Sequence, residues 1–326
     1  MRTVVGVLRG GPSREYEVSL KTGASVLAAL DKDKYEPRDI FIDRGGQWHL
    51  HGIPMPPERA LRGVDVAFNA MHGEYGEDGS VQHLLEILAV PYTGSGARPS
   101  AVAFDKHRTR EAVKALGIKI AHGIVVGNST LSEVEGLENL THKIFRTFPH
   151  PAIVKPVAGG SSVGTAIAEN FHALQWALGR AFEVSPNVLI EEFIKGREAT
   201  VGVVDNFRGE RTYALLPVEI VPPPSSNFFD YDAKYSGQTL ERVPGHFTEQ
   251  EKNILSNAAR AVHEGLGLAH YSRSDFIVSP RGIYFLEVNT LPGLTGESLL
   301  PKALAAVGAS LTQFLDHVIS LARKNL

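Results

Sequence analysis

The 326-residue chain is 43% hydrophobic and 21% charged, with a formal net charge of −3, a balance that suits a soluble enzyme of two or three domains. That charge gives no electrostatic reason to expect a nucleic acid or an anionic membrane as partner. The absence of cysteine excludes disulfides, thiolate metal sites and a cysteine nucleophile. The opening "MRTVVGVLRGGPS" has too short an apolar run for a signal peptide and no window approaches a membrane span, so a cytoplasmic location is expected.

The first 96 residues alternate strand and helix. "TVVGVL" (3–8) is a β-branched run that enters the glycine turn "RGGPS", and "REYEVSLKTGASVLAALDK" has Val18, Ala24, Leu27 and Leu30 near helical spacing. "YEPRDIFID" and "VDVAFNA" predict further strands and "SVQHLLEILAV" a helix, which together imply an open, mostly parallel sheet. Ligands of such sheets bind outside the carboxyl ends of strands, where "RGGPSREYEVSL" and "MHGEYGEDGS" fall. Glu15 and Glu17 suit the positive end of a helix dipole, and a carboxylate there also suits the ammonium of a small substrate. His72 is placed to face a ligand or to be incidental to a capping loop, with Glu77-Asp78 capping the next helix.

"PYTGSG" (91–96) breaks the pattern and marks a boundary. A second unit, residues 97–186, reads as the helix "ARPSAVAFDKHRTREAVKALG", the strand "IKIAHGIVV", a polar loop plus helix, and two short strands before the amphipathic helix "FHALQWALGRAF". Those two strands, "PAIVKP" and "TAIAEN", flank "KPVAGGSSVG" (155–164). Its lysine precedes the glycines, so it fits neither the Walker pattern nor the dinucleotide Gly-x-Gly pattern, and it reads as a strand–loop–strand cover.

The third unit, residues 187–326, opens strand-rich with "NVLIEEFIKGREATVGVV", whose glycine bend can turn Glu191 and Glu198 to a cleft, although lone strand acids are more often solvated. A polar segment (222–247) with three successive prolines follows, a length typical of functional or disordered loops. "SRSDFIVSPRGIYFLEVNT" (272–290) predicts a hairpin. A three-residue loop Pro280-Arg281-Gly282, with glycine in the left-handed region, pairs Ser279 with Ile283. Asp275 then lies opposite Glu287 and Arg273 opposite Asn289, all on one face that Ile277 and Phe285 share; a two-residue loop would send Glu287 to the other face. Two carboxylates and an amide oxygen suit Mg²⁺ holding substrate phosphates, and Arg273 suits a developing anion. A solvated face of cross-strand charge pairs has the same pattern.

Taken in order, "GGPSREYEVS", "MHGEYGEDG", "YTGSG", "KPVAGGSSVG", "FDYDAKY", "SRSDF" and "LEVNTLPGLTGESLLP" resemble the D-alanine–D-alanine ligases of the ATP-grasp superfamily, from near residue 4 to near residue 315. The resemblance implies a three-domain α/β architecture, with units 1–96, 97–186 and 187–326 and ATP bound between the central and C-terminal α+β domains. It implies that Lys106 and Lys155 contact ATP phosphates, with Ser162 beside them. Glu191 and the backbone of Phe193 and Ile194 would meet the adenine, and Glu198 the ribose. Asp275, Glu287 and Asn289 would hold two Mg²⁺ ions, with Mn²⁺ as a substitute. Arg273 and the backbone of Gly293 would stand over the reacting centre.

By the same resemblance, Glu15 and His72 would hold the first D-alanine, with Ser161 and Tyr235 bonded to Glu15, while Lys234 and Ser298 would receive the carboxylate of the second. The implied reaction is ATP-dependent ligation of two D-alanines through a D-alanyl phosphate for peptidoglycan precursor synthesis, by a cytoplasmic homodimer with no nucleic-acid or membrane partner. The loops at 155–164 and 222–247 would exclude water. Alternatives are a D-alanine–D-serine or D-alanine–D-lactate ligase, another ATP-grasp carboxylate–amine ligase, and a nucleotide-binding protein without catalysis, which need not keep Arg273. Three departures from the commoner pattern stand out: the doubled Gly159-Gly160, Phe229 in the aromatic loop, and Glu297, an unexpected carboxylate beside Ser298.

Overall fold

The computed structural model describes residues 2–127, 136–159, 163–222 and 240–324. The β-branched run after residue 2 forms β1 (Thr3–Gly10), which pairs in parallel with β2 (Tyr35–Ile42) and with β5 (Val66–Asn69). The short strands β3 (Trp48–Leu50) and β4 (Ile53–Met55) add an antiparallel edge, giving the order β4-β3-β2-β1-β5. Both faces of this sheet are covered, as a parallel core requires. Val5, Val7, Val66 and Phe68 share one cluster with Val26 of α1 (Tyr16–Ala29), while Leu8, Ile40 and Ile42 share another with Val81 and Leu85 of α3 (Ser80–Ile87). The single turn α2 (Pro57–Ala60) lies between β4 and β5.

The helix expected over 97–117 is two. Asp105 is extended (φ −87°, ψ 105°) between α4 (Ala97–Phe104) and α5 (Lys106–Ala115), and its carboxylate accepts the N–H of Arg108. An aspartate N-cap starts a new helix and places Lys106 at its first position. The following strand is shorter than "IKIAHGIVV": β6 spans Gly123–Gly127, and Ile120 makes a separate bridge to Phe285.

After β6 come α6 (Gly136–Thr147), β7 (Ala152–Pro156), β8 (Ala166–Ala168), α7 (Phe171–Phe182) and β9 (Asn187–Glu192). Their sheet has the order β6-β9-β7-β8, with Val154 and Ile190 packed on Ile144, Leu174 and Leu178. The strand β9, grouped by sequence with the C-terminal unit from residue 187, is therefore hydrogen-bonded into the sheet before it. Ala103 and Val113 of α4 and α5 pack instead into the core of the last sheet.

That sheet has the order β13-β12-β10-β14-β15, from β10 (Arg197–Phe207), β12 (Val218–Val221), β13 (Leu240–Arg242), β14 (Tyr271–Ser279) and β15 (Gly282–Asn289), with β11 (Glu210–Ala214) beside β10. One face carries α8 (Glu249–Gly265), whose Thr248 and Glu251 form a capping box and whose Leu255, Ala259 and Val262 pack on Val201, Val203 and Phe276. The chain ends with α9 (Leu299–Ala306) and α10 (Leu311–Lys324), buried against the first sheet and β10.

Candidate active site

The hairpin β14–β15 brings the candidate metal ligands together, but by a route the sequence does not predict. Ser279 pairs with Gly282, so the turn is the two residues Pro280 and Arg281, with Gly282 at φ 119°. Uncorrected, that turn would put Glu287 on the helix side. The ladder runs Val278–Ile283, Ile277–Tyr284, Phe276–Phe285 and then resumes at Asp275–Glu287, so Leu286 is an extra residue in a bulge. The bulge restores the pairs Asp275–Glu287 and Arg273–Asn289, as expected. Phe285 is the correction: it packs edge-on to Phe276 in the core under α8, while Ile277 faces the cleft.

That cleft, about 540 Å³, is walled by Ile153, Ile167, Ile194, Ile277 and Leu286, with Lys155, Glu191, Glu198, Asp275 and Glu287 among its polar groups. An apolar slot with a few placed charges is the ordinary form of a nucleotide-sized site. Lys155 Nζ lies 2.5 Å from Glu191 Oε2, and Arg110 binds the other oxygen of Glu191 while donating to the carbonyl of Ala121 at 2.6 Å. Burial of this carboxylate is tolerated because two cations meet it. Arg110 is absent from the sequence-derived set. Its signal is its place four residues after Lys106, on the same face of α5.

The backbone of Phe193, expected beside the adenine, already donates its N–H to the carbonyl of Pro151 at 3.0 Å, because the segment leaving β9 turns back onto β7. Ile194 is buried with Ala121 and Tyr284. Lys106 Nζ donates to the carbonyl of Gly159 at 2.6 Å, and Asp105 bridges Ala158, so α5 holds the stem of the 155–164 loop. Ser161, Ser162, Lys234 and Tyr235 lie outside the described residues.

A second cavity, about 60 Å³, is lined by Glu15, Glu77, Lys106, Gly159, Glu287 and Asn289, among others. Lys106, Gly159 and Glu287 line both cavities, so the two meet there. The loops after β1 and β5 build the floor of the small one. Ser13 Oγ donates to the carbonyl of His72 at 2.6 Å and accepts the N–H of Glu15 at 3.1 Å. Gly73 sits at φ 72°, and a Cβ there would approach Glu15 Oε2 and Ser13 Oγ to 3.0 Å, so the close approach needs glycine.

Asp78, not Glu77, serves the start of α3, accepting from Ser80 N at 2.9 Å. Glu77 turns inward and accepts the N–H of Gly73 at 2.7 Å. Burial, reinforced by the charge of Glu15, pushes its carboxyl up to about 8. It is the second site residue absent from the sequence-derived set, because a helix-start acid gives no local sign of pointing inward. Burial and the charge of Arg273 push the His72 imidazole down to about 4, and its Nε2 bonds Thr22 Oγ1 at 2.8 Å. The His72 imidazole is thus neutral near pH 7.

Arg273 forms a two-pronged pair with Asp275, at 3.0 and 2.9 Å. Burial works against its charge, but Asp275, Glu287 and Glu77 outweigh it and raise its pKa. Asp275 also accepts from Thr200 of β10, and Asn289 Oδ1 accepts the N–H of Leu291 at 2.8 Å. Beyond β15, Gly293 lies against Ser298, whose Oγ would be 2.7 Å from a Cβ at that position. Ser298 Oγ accepts from Thr295 N at 3.1 Å at the start of α9.

Two sequence models match: D-ala D-ala ligase N-terminus over residues 4–55 and 51–95, and D-ala D-ala ligase C-terminus over residues 112–320. The chain belongs to the D-alanine–D-alanine ligase family. A D-alanine–D-alanine ligase of Geobacter sulfurreducens is 38% identical, over 97% of this chain and 93% of its own. Among solved structures, the VanG D-Ala:D-Ser ligase of Enterococcus faecalis superposes with a TM-score of 0.84 at 28% identity, covering 99% of this chain and 100% of that one. The D-alanine–D-alanine ligase of Coxiella burnetii gives a TM-score of 0.82 at 26% identity, over 99% and 94%. As in the other members of the ligase family, the mixed α/β sheets form a multidomain ATP-grasp architecture.

Proposed function

We propose that the chain ligates two D-alanines to D-alanyl-D-alanine at the expense of ATP, through a D-alanyl phosphate, for peptidoglycan precursor synthesis. The observation that carries this reading is the junction of the two cavities, where a nucleotide-sized cleft meets a small acid-lined pocket at Lys106 and Glu287. ATP fills the cleft, with its phosphates toward Lys155 and Lys106. The first D-alanine sets its ammonium against Glu15. Glu77 keeps its proton near pH 7, so it adds no second negative charge to the pocket, and a single carboxylate meets a single ammonium.

The substrate carboxylate attacks the γ-phosphorus, the bond to the bridging oxygen breaks, and ADP leaves. The amine of the second D-alanine then attacks the acyl carbon, loses a proton, and the C–O bond to phosphate breaks. Arg273, fixed by Asp275 and charged at any working pH, offsets the oxyanion, with the backbone of Gly293 alongside. Ser298 and Lys234 receive the second carboxylate.

Among the described residues no group of three or more His, Cys, Asp or Glu gathers to hold a metal. Two carboxylates and an amide on one sheet face still fit Mg²⁺, which takes one or two carboxylates and leaves its other positions to phosphate oxygens and water. Asp275, Glu287 and Asn289 would hold two such ions, which offset charge on the transferred phosphoryl group.

No single described helix is long and apolar enough to cross a membrane; α9 and α10 pass only together, bent by 102°. We place the protein in the cytoplasm as a homodimer. Phosphate release from ATP is expected to require both D-alanine and Mg²⁺, with D-alanyl-D-alanine detected by mass. Release equally fast without D-alanine, or absent with every D-amino acid tried, would overturn the assignment. D-Serine and D-lactate, offered as acceptors in the same assay, test the alternatives.

A further inference from the structure

Lys302, on the first turn of α9, lies between two carboxylates. Its Nζ is 2.8 Å from Glu241 Oε2 and 3.0 Å from Glu297 Oε2. Glu241 belongs to β13 and pairs with Ile220 of β12, a strand that lines the nucleotide cleft. Its side chain is 19% exposed, against 94% for Glu297. Lys302 also donates its backbone N–H to the carbonyl of Ser298 at 3.3 Å, so the lysine that holds both carboxylates follows that serine by one helical turn.

The cluster carries two negative charges and one positive. An amino acid entering beside Ser298 brings a carboxylate of its own, and without Lys302 it would meet two like charges. We propose that Lys302 is a specificity-determining residue of the second amino-acid subsite. It holds the Ser298 turn against β13 and offsets half of the negative charge that would otherwise repel the substrate's own carboxylate. The two partners have different weights. The half-buried Glu241 bridge positions the turn, whereas the exposed Glu297 adds little structure and mainly a repelling charge.

This role rests on the ligase reading above, and steady-state kinetics of the full chain with ATP, Mg²⁺ and D-alanine separate the two. Lys302→Met, which keeps the apolar stem and removes the charge, should raise the KM of the second D-alanine about 10-fold and leave those of the first D-alanine and ATP within about 2-fold. Lys302→Arg should restore the second KM to within about 3-fold of the starting value. Glu297→Gln, at a position too exposed to threaten folding, should lower that KM by about 2-fold. An unchanged second KM in Lys302→Met, a parallel rise in all three constants, or a rise in Glu297→Gln would overturn the role. A parent chain with no D-alanine-dependent phosphate release would overturn the ligase reading and this role together. A parent with two separable D-alanine constants that Lys302→Met leaves alone would overturn this role only.

Discussion

At the scale of single residues, the site works by opposing charges inside a poorly solvated space. Glu191 is buried because Lys155 and Arg110 meet its two oxygens, and Asp275 because Arg273 meets both of its own. Glu287 differs in facing both cavities. In the proposed reaction its carboxylate would therefore act on the phosphoryl group in transit more than on the nucleotide as a whole. Glu287→Gln is expected to lower D-alanine-dependent phosphate release by about 10³-fold while weakening ATP binding by less than about 10-fold, since a metal position matters most where charge is transferred. Rapid-quench phosphate assays beside equilibrium ATP titration check the split. Full activity in the variant would contradict the metal role.

At the scale of elements, the hairpin shows what local pattern carries and what it does not. Alternation along 272–290 makes both strands legible, and with them the shared face of Arg273, Asp275, Glu287 and Asn289. The turn is not legible, because Pro280-Arg281-Gly282 accommodates a two-residue or a three-residue loop with the same glycine. Nor is the bulge, since Leu286 looks like any apolar strand residue and its extra step is set by packing of Phe276 and Phe285 under α8. The same limit hides Arg110 and Glu77, whose partners are distant in sequence or lie inward of a turn. It also hides the membership of β9, a strand whose hydrogen-bonding neighbours are chosen by the assembled sheet. Deleting Leu286 would make Glu287 the residue directly after Phe285, so the regular ladder dictated by the turn would still set Glu287 opposite Asp275 on the cleft face. We expect D-alanine-dependent phosphate release to fall by less than about 100-fold, and stability by about 1–2 kcal/mol, from loss of the apolar wall that Leu286 gives the cleft. Phosphate-release assays and urea unfolding of the deletion variant beside the parent measure both effects; a loss of more than about 10³-fold at a parent-like midpoint would show that the bulge itself, and not the pairing alone, positions Glu287.

At the scale of the whole molecule, two buried histidines and one buried acid bind the cost of shaping the site to the stability of the fold. His72 lies in the loop after β5, where its carbonyl accepts from Ser13 beside Glu15. His270 accepts the N–H of Gly94 through Nδ1 at 3.0 Å and so joins the end of the first unit to the strand carrying Arg273. Burial pushes both imidazoles down to about 4, while Glu77 is pushed up to about 8. The unfolded chain protonates both histidines below about pH 6.5, and the folded chain leaves them neutral until about 4; their stabilisation is complete above 6.5 and declines as pH falls. The folded chain keeps the Glu77 proton up to about 8, whereas the unfolded chain releases it near 4.5, so stability from this group is lost as pH rises across that window. From 4.5 to 6.5 the unfolded state binds a net excess of about one proton, and from 6.5 to 8 the folded state does. Stability of the ligand-free chain should therefore peak near pH 6.5 and fall by roughly 1.4 kcal/mol per pH unit on either side. Glu77→Gln should abolish the alkaline decline, giving a plateau above pH 6.5, and steepen the acid limb toward two protons per molecule. Urea unfolding at half-unit pH steps measures both limbs; an alkaline limb that survives in Glu77→Gln would place the responsible proton elsewhere. An acid held protonated inside the pocket thus destabilises the empty enzyme at the pH where it works. Binding an ammonium there relieves part of that cost, so D-alanine should stabilise the parent chain more at pH 8 than at pH 6.5.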